Sequence, residues 1–237
     1  MSNMPLLQKF EENVYTCPYP IHYAGCRFNA RMTVLRLSDG NLALHSPCDI
    51  SPALKEEIER LGQVSYVIAP GNYHYFHVAQ CKAIFPSAQV YLSPGLEKKQ
   101  PKLLELDARV LNDKDDSIDK DVQHIFLAGN RIINEIAFYH SPSKTLVLTD
   151  SIEYIGDDTP GTNWVLRMWW FIMRMWNKPK PAPEYQMGWI CRNKQESREC
   201  MNRILGWDFE KVIIAHGDNI TSNGRTVVRQ AWSSVLE

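Results

Sequence analysis

Three apolar runs in this 237-residue chain each end on side chains that can bind a metal. Val64-Ser65-Tyr66-Val67-Ile68-Ala69 leads into Pro70-Gly71-Asn72-Tyr73-His74-Tyr75-Phe76-His77. Leu146-Val147-Leu148-Thr149 ends on Asp150, and Val212-Ile213-Ile214-Ala215 ends on His216-Gly217. Three strand ends delivering His, Asp and His build a metal site from loops on a rigid sheet. His74 and His77, at i and i+3, converge on one ion if their loop turns helically. Asp150 closes an apolar strand, where a buried carboxylate must be paired or metal-bound. Gly217 lets the chain approach a site closely. The competing reading makes the histidines cap or core residues and Asp150 a helix N-cap.

The elements around these runs are legible from pattern. Residues 12–49 read as a β-meander, with Met32–Leu37 as a strand, Ser38–Asn41 as a hairpin turn and Leu42–His45 returning. Residues 51–62 read as a helix, with Ser51 as N-cap, Pro52 at N1, apolar Leu54, Ile58 and Leu61, and Gly62 as the stop. From His77 a helix runs to Pro86, and Gln89–Leu92 follows as a strand. This β-α-β order predicts a parallel or mixed sheet. Residues 95–121 are charged and predict a short surface helix and a loop, with Lys98-Lys99 and Asp113–Asp116 solvated. Strands are predicted at 122–127, 132–139 and 145–149, with Pro142-Ser143-Lys144 as a turn.

This order of motifs resembles the metallo-β-lactamase fold superfamily. Residues 70–77 sit where that superfamily carries His-x-His-x-Asp-His, Asp150 matches its metal-capping or bridging aspartate, and His216-Gly217 matches its closing His-Gly. More narrowly, Pro70–His74, Phe85-Pro86-Ser87-Ala88, Thr145–Asp150 and His216-Gly217 resemble a branch that is a domain of unknown function. The resemblance covers about Val14 to Trp232. It implies an α/β fold, an αβ/βα four-layer sandwich of two mixed sheets, as one domain over residues 1–237. The departures are specific. Asn72 stands at the first His of the motif and Phe76 at its Asp. No His occurs near Gly129-Asn130-Arg131, where another ligand is expected. The remaining set, His74, His77, Asp150 and His216, suffices for one divalent transition metal, zinc or iron. A weak second ion would have to draw on Asn72 as an amide ligand or on Glu135 from the neighbouring strand.

Composition narrows the class. At 237 residues with 44% hydrophobic content, one layered domain with a substantial core is expected. A formal charge of −1 makes no global electrostatic case for nucleic acid. The start Met1–Leu7 has neither a basic region nor a long apolar core, which points to a cytoplasmic protein. The cysteines at 17, 26, 48, 81, 191 and 200 contain no Cys-x-x-Cys and read as buried free thiols. Cys48, in the turn His45–Asp49, is the one to consider as a nucleophile, given a nearby base.

The segment Trp164–Trp176 is almost wholly apolar, and as one helix it gathers Asn163, Arg167, Arg174 and Lys178 into a narrow polar stripe. It is too short to span a bilayer. Three readings compete: an internal helix over the sheet, a lid or dimer surface beside the metal site, or an in-plane membrane-surface helix. Asn177–Pro183 is a stiff extended exit. Residues 152–190 together read as an insertion into the core fold.

The function these features predict is metal-assisted hydrolysis of an ester, lactone, thioester or phosphoester by an activated water, with Asp150 and His77 as catalytic residues. The substrate is a small molecule, and the Trp/Met segment favours an apolar one. Asp218 is a second candidate base or supporting group, and His140 reads first as a structural or surface residue, with the mouth of the site as its lesser reading. His22, His45 and His124 read as structural or surface residues. The alternatives are a catalytically silent binding or scaffold protein, or an iron redox protein using the same site. No Gly-x-Gly-x-x-Gly or P-loop motif brings in a nucleotide or flavin.

Overall fold

The computed structural model of the chain describes residues 6–112, 118–190 and 194–237. The expectation for Asp113–Asp116 lies outside these residues, as does Cys191.

The first half is built on one seven-stranded sheet, ordered β1 (Gln8–Glu11), β2 (Val14–Tyr23), β3 (Cys26–Arg36), β4 (Leu42–His45), β5 (Val64–Ala69), β6 (Gln89–Leu92) and β7 (Arg109–Val110). The meander is antiparallel through β4, and β4 to β7 are parallel. The β2–β3 hairpin is longer than the sequence pattern suggests, pairing continuously from Val14↔Leu35 to Tyr23↔Cys26. It turns on Ala24 and Gly25, both at positive φ, which suits the right-handed twist of a hairpin. Helix α1 (Pro52–Leu61) starts as its sequence predicts, with the Ser51 hydroxyl accepting from Leu54 N at 3.2 Å. Helix α2 (Val78–Ile84) joins β5 to β6, and the short helix α3 (Leu96–Lys99) follows β6.

The second sheet has the order β11 (Lys211–Ile214), β10 (Thr145–Leu148), β9 (Ile136–His140) and β8 (Val122–Phe126). Only β10 and β11 are parallel. Alternation along the strands sorts side chains into layers. Leu42, Leu44, Val67 and Val90 face α1 and α2. Leu146, Leu148, Val212 and Ile214 face α6 (Gln195–Leu205), α7 (Gly224–Ala231) and α8 (Ser233–Leu236). Ala43, Ile68, Tyr91, Phe138, Val147 and Ile213 meet between the sheets. Helices, sheet, sheet, helices is the four-layer αβ/βα arrangement.

Two further boundaries differ from the sequence reading. Strand β9 begins at Ile136, because Asn130 Oδ1 accepts from both Ile132 N and Ile133 N at 3.0 Å and folds 130–133 into a turn. Helix α4 spans Trp164–Ile172 only. The amides of Met175 and Trp176 both donate to Trp170 O, and Arg174 lies at φ 56°, so the helix closes before Arg174. Arg174 and Lys178 therefore leave the stripe that Asn163 and Arg167 occupy. The rest of 152–190 folds as a bridge between Glu153 and Lys180, followed by α5 (Pro183–Gly188).

Candidate metal centre

Parallel pairing explains why Asp150 and His216 meet. Leu148 lies opposite Ile214 in the β10–β11 ladder, and each candidate ligand sits two residues further on, at the same sheet edge. The loop after β5 arrives from the other sheet. Ile136 N donates to Pro70 O at 2.7 Å and Asn72 N to Asn134 O at 3.2 Å, which stitches the Pro70–His74 turn to the start of β9. His74 Nε2 then lies 3.2 Å from Asp150 Oδ1, and His216 Nε2 lies 3.4 Å from the same oxygen. His74, Asp150 and His216 offer ligand atoms that all lie within 4.8 Å of one another, and all three side chains are buried.

The surroundings orient these groups. His74 Nδ1 meets Ser46 Oγ at 2.7 Å, and His216 Nδ1 donates to Asn29 O at 3.3 Å. Each imidazole therefore turns Nε2 toward Asp150, the supporting arrangement of metal-binding histidines. Ser46 holds a left-handed backbone (φ 53°) at the end of β4, a strained conformation that aims its hydroxyl at His74. Arg31 on β3 donates to Ile214 O and, at 2.7 Å, to Gly217 O, fixing the loop that carries His216. Gly217 has φ 97°, and a Cβ there would lie 1.9 Å from Tyr154 O.

Charge is concentrated on Asp150. Burial by itself would raise its pKa, but His74 and His216 hold it well below the ordinary carboxylate range. Burial lowers His74, and the Asp150 carboxylate more than offsets this, so His74 titrates above an ordinary histidine. Asp150 Oδ2 is buried with no protein hydrogen-bond partner. Two imidazole nitrogens and a carboxylate fit a zinc- or iron-type ion. Ligand atoms around a tetrahedral zinc stand about 3.4 Å apart, close to the spacings found here.

The other predicted site residues fall elsewhere. Asn72 is fully engaged in the backbone, donating to Ile132 O at 2.7 Å and accepting from Asn134 N at 3.2 Å. Glu135 is buried and accepts from Thr149 N, Asp150 N, Ser151 N and Ser151 Oγ at 2.7–3.1 Å. Both Glu135 oxygens are thus taken by donors, and Asn72 Oδ1 is turned to the Asn134 amide. Glu135 instead shapes the turn that carries Asp150; burial and the Asp150 charge push its pKa up to about 7, against the pull of its donors. His77 caps the start of α2 without a side-chain cap bond, edge-on to the Tyr19 ring, outside the His74–Asp150–His216 cluster but on the wall of the same cavity. Asp218 accepts from Thr159 Oγ1 at 2.6 Å and anchors a loop. His140 cannot reach the mouth: it pairs with Thr145, at the opposite end of the sheet from Asp150. Cys48 is buried. It packs against Met32, and the neighbouring Cys17 thiol together with burial drives its pKa far above the usual thiol value. Lys99 is solvated yet leans over the Tyr73 ring, 4.3 Å from its centroid.

Sequence reasoning missed Asn29, Arg31, Ser46 and Glu153. Asn29 acts through its carbonyl and lies 187 residues from His216, so no local signal could find it. Glu153 is buried on the cavity wall with Oε2 unpartnered, and burial followed by the Asp150 charge raises its pKa well above the ordinary value.

Above the cluster opens a cavity of about 720 Å³. His74, Asp150 and His216 line it with Phe28, Tyr23, Trp169, Trp170 and Met173, so a polar floor sits beneath mostly apolar walls.

Comparison with known proteins agrees with this architecture. The chain is similar to the DIM-1 metallo-β-lactamase (10% identity, TM-score 0.63, 96% of each chain covered). It is similar to the FIM-1 metallo-β-lactamase from Pseudomonas aeruginosa in its mono-zinc form (8% identity, TM-score 0.64, covering 98% of this chain and 96% of that one). It is also similar to the Flv1 flavodiiron core from Synechocystis (11% identity, TM-score 0.65), covering 97% of this chain and 60% of that one. No curated protein matches the sequence significantly. The model of the family described as Domain of unknown function (DUF4336) matches residues 13–168. With two thirds of its length matched and the four-layer architecture in place, the chain belongs to the DUF4336 family and has the metallo-β-lactamase fold.

Proposed function

We propose that this protein is a metal-dependent hydrolase that uses one transition-metal ion, zinc or iron, to cleave an ester, lactone, thioester or phosphoester of an apolar small molecule. One observation carries this reading. Three strand-end ligands converge with their outer nitrogens held and Asp150 Oδ2 unpartnered, on the floor of an apolar cavity.

His74, Asp150 and His216 would hold the ion. When bound, it supplies Lewis acidity and lowers the pKa of water toward neutrality. Asp150 Oδ2 accepts a hydrogen bond from the attacking water and orients it. Glu153, buried on the cavity wall with its pKa raised, gives its proton to the departing oxygen or sulfur and regains one from the proton that the attacking water loses. His77 contacts substrate from the cavity wall. Phe28, Trp169, Trp170 and Met173 exclude bulk water, which strengthens each polar contact at the floor.

The test is metal content of protein prepared without chelator, wild type beside His74→Ala/His216→Ala, with turnover of acyl esters, thioesters, lactones and phosphoesters. About one ion per chain, absent from the variant, with chelator-sensitive turnover, is expected. No metal after reconstitution with zinc or iron sinks the proposal and leaves a binding protein. A coloured, reducible iron form without hydrolysis replaces it with redox chemistry.

A further inference from the structure

We propose that α4 and the rim of the cavity form a docking face for an anionic lipid bilayer. Docking stands on its own observations; that lipid-dissolved substrate enters the cavity there rests on the function proposed above.

Helix α4 is apolar nearly all round, and its fold explains only one face. Leu166 and Trp170 pack inward on Phe28, Ile155 and Met175. No described residue covers the outer face: Trp164 is 72% exposed and Phe171 76%, and Met168 and Ile172 are exposed beside them. Uncovered aromatic surface of this extent marks an interaction site. The patch continues onto the cavity rim, where Phe76 is 69% exposed and Tyr23 and Met187 are also open. Trp169 belongs to both, since it is exposed on α4 and lines the cavity.

Charge identifies the occupant. Arg174 and Lys178, both exposed, border a shallow depression with Phe171, Ile172 and Trp176. Arg167 lies over the Trp176 ring, 5.5 Å from its centroid. Of the acids nearby, Asp157 accepts from Trp176 Nε1 and Asn177 Nδ2, Asp158 is exposed beside it, and Glu184 lines the cavity with Met187. Exposed Trp and Phe flanked by cations suit a headgroup region of negative charge. A second copy fits less well, because a two-fold interface would bring the Arg174 and Lys178 cations of both copies onto one patch. At nine residues α4 is about 13 Å long, and no described helix is long and apolar enough to cross a membrane, so the helix would lie in the surface plane.

Co-sedimentation with vesicles tests this. Wild type should pellet with phosphatidylcholine/phosphatidylglycerol vesicles far more than with phosphatidylcholine alone, and less as salt is raised. Phe171→Ser/Ile172→Ser should lower partitioning at least about tenfold without moving the thermal midpoint, since both side chains are exposed. Arg174→Gln/Lys178→Gln should lower it about 25-fold on anionic vesicles only, at about fivefold per cation. His74→Ala/His216→Ala should pellet like wild type, which separates docking from the metal chemistry. The proposal is overturned if wild type stays in the supernatant with anionic vesicles, or if both surface variants pellet unchanged. It is also overturned if analytical ultracentrifugation shows a lipid-free dimer that Phe171→Ser/Ile172→Ser converts to monomer.

Discussion

Replacing Glu135 by alanine should damage both the stability of the fold and the metal site, although Glu135 lies outside the His74–Asp150–His216 cluster. Its two oxygens accept from three consecutive backbone amides, Thr149, Asp150 and Ser151, and from the Ser151 hydroxyl. All of these residues are buried. Alanine leaves three amides without acceptors, at about 1–3 kcal/mol each. Adjacent groups relax together, so the sum is smaller than three independent losses, and we expect about 3–5 kcal/mol. Glu135→Gln keeps the shape but turns an amide NH₂ toward backbone donors, and should cost about half as much. Urea unfolding at pH 7.5 measures the stabilities. Competition with a chromophoric chelator should show one ion per chain retained in Glu135→Gln, bound about 10–100-fold more weakly, as for other groups that position ligands. Alanine costing under about 1 kcal/mol would refute the account of the 149–151 turn. Loss of the ion from Glu135→Gln at full folding would make Glu135 a ligand after all.

Two further outcomes follow from buried groups. His45 is buried between the sheets with both ring nitrogens unpartnered, and burial followed by the charge of His74 pushes its pKa down to about 3. The unfolded chain binds that proton below about pH 6.5, so His45 costs stability as pH falls from 6.5 toward 3, about 2 kcal/mol by pH 5. His45→Leu should remove that acid sensitivity and be neutral or stabilising at pH 7 by thermal melts; an unchanged pH slope would refute it. Gly217→Ala should cost about 3 kcal/mol through its left-handed backbone and the clash with Tyr154 O, and should weaken metal binding by displacing His216. A melting temperature within a degree or so of wild type would show that the 154–217 contact yields easily.

The sequence by itself determined the strands that end on His74, Asp150 and His216, helix α1 with its cap, and the β-α-β run, because periodicity and capping act over a few residues. Motif order carried the fold. It could not decide which side chains face the site. Asn72 and Glu135 occupy positions that read as ligands, yet neighbouring backbone amides and carbonyls claim their oxygens and nitrogens, and only the closed turn at 130–135 reveals that. The supports Asn29, Arg31 and Ser46 were invisible because they act across 28 to more than 180 residues, Asn29 through its own carbonyl and Arg31 onto backbone carbonyls of the site loop. The end of α4 at Ile172 was likewise tertiary: an apolar helix has no internal reason to stop there, but packing of Trp170 and Met175 against Phe28 and Ile155 does. Local chemistry wrote which residues could bind a metal, and the pairing of two distant sheets decided which three would meet.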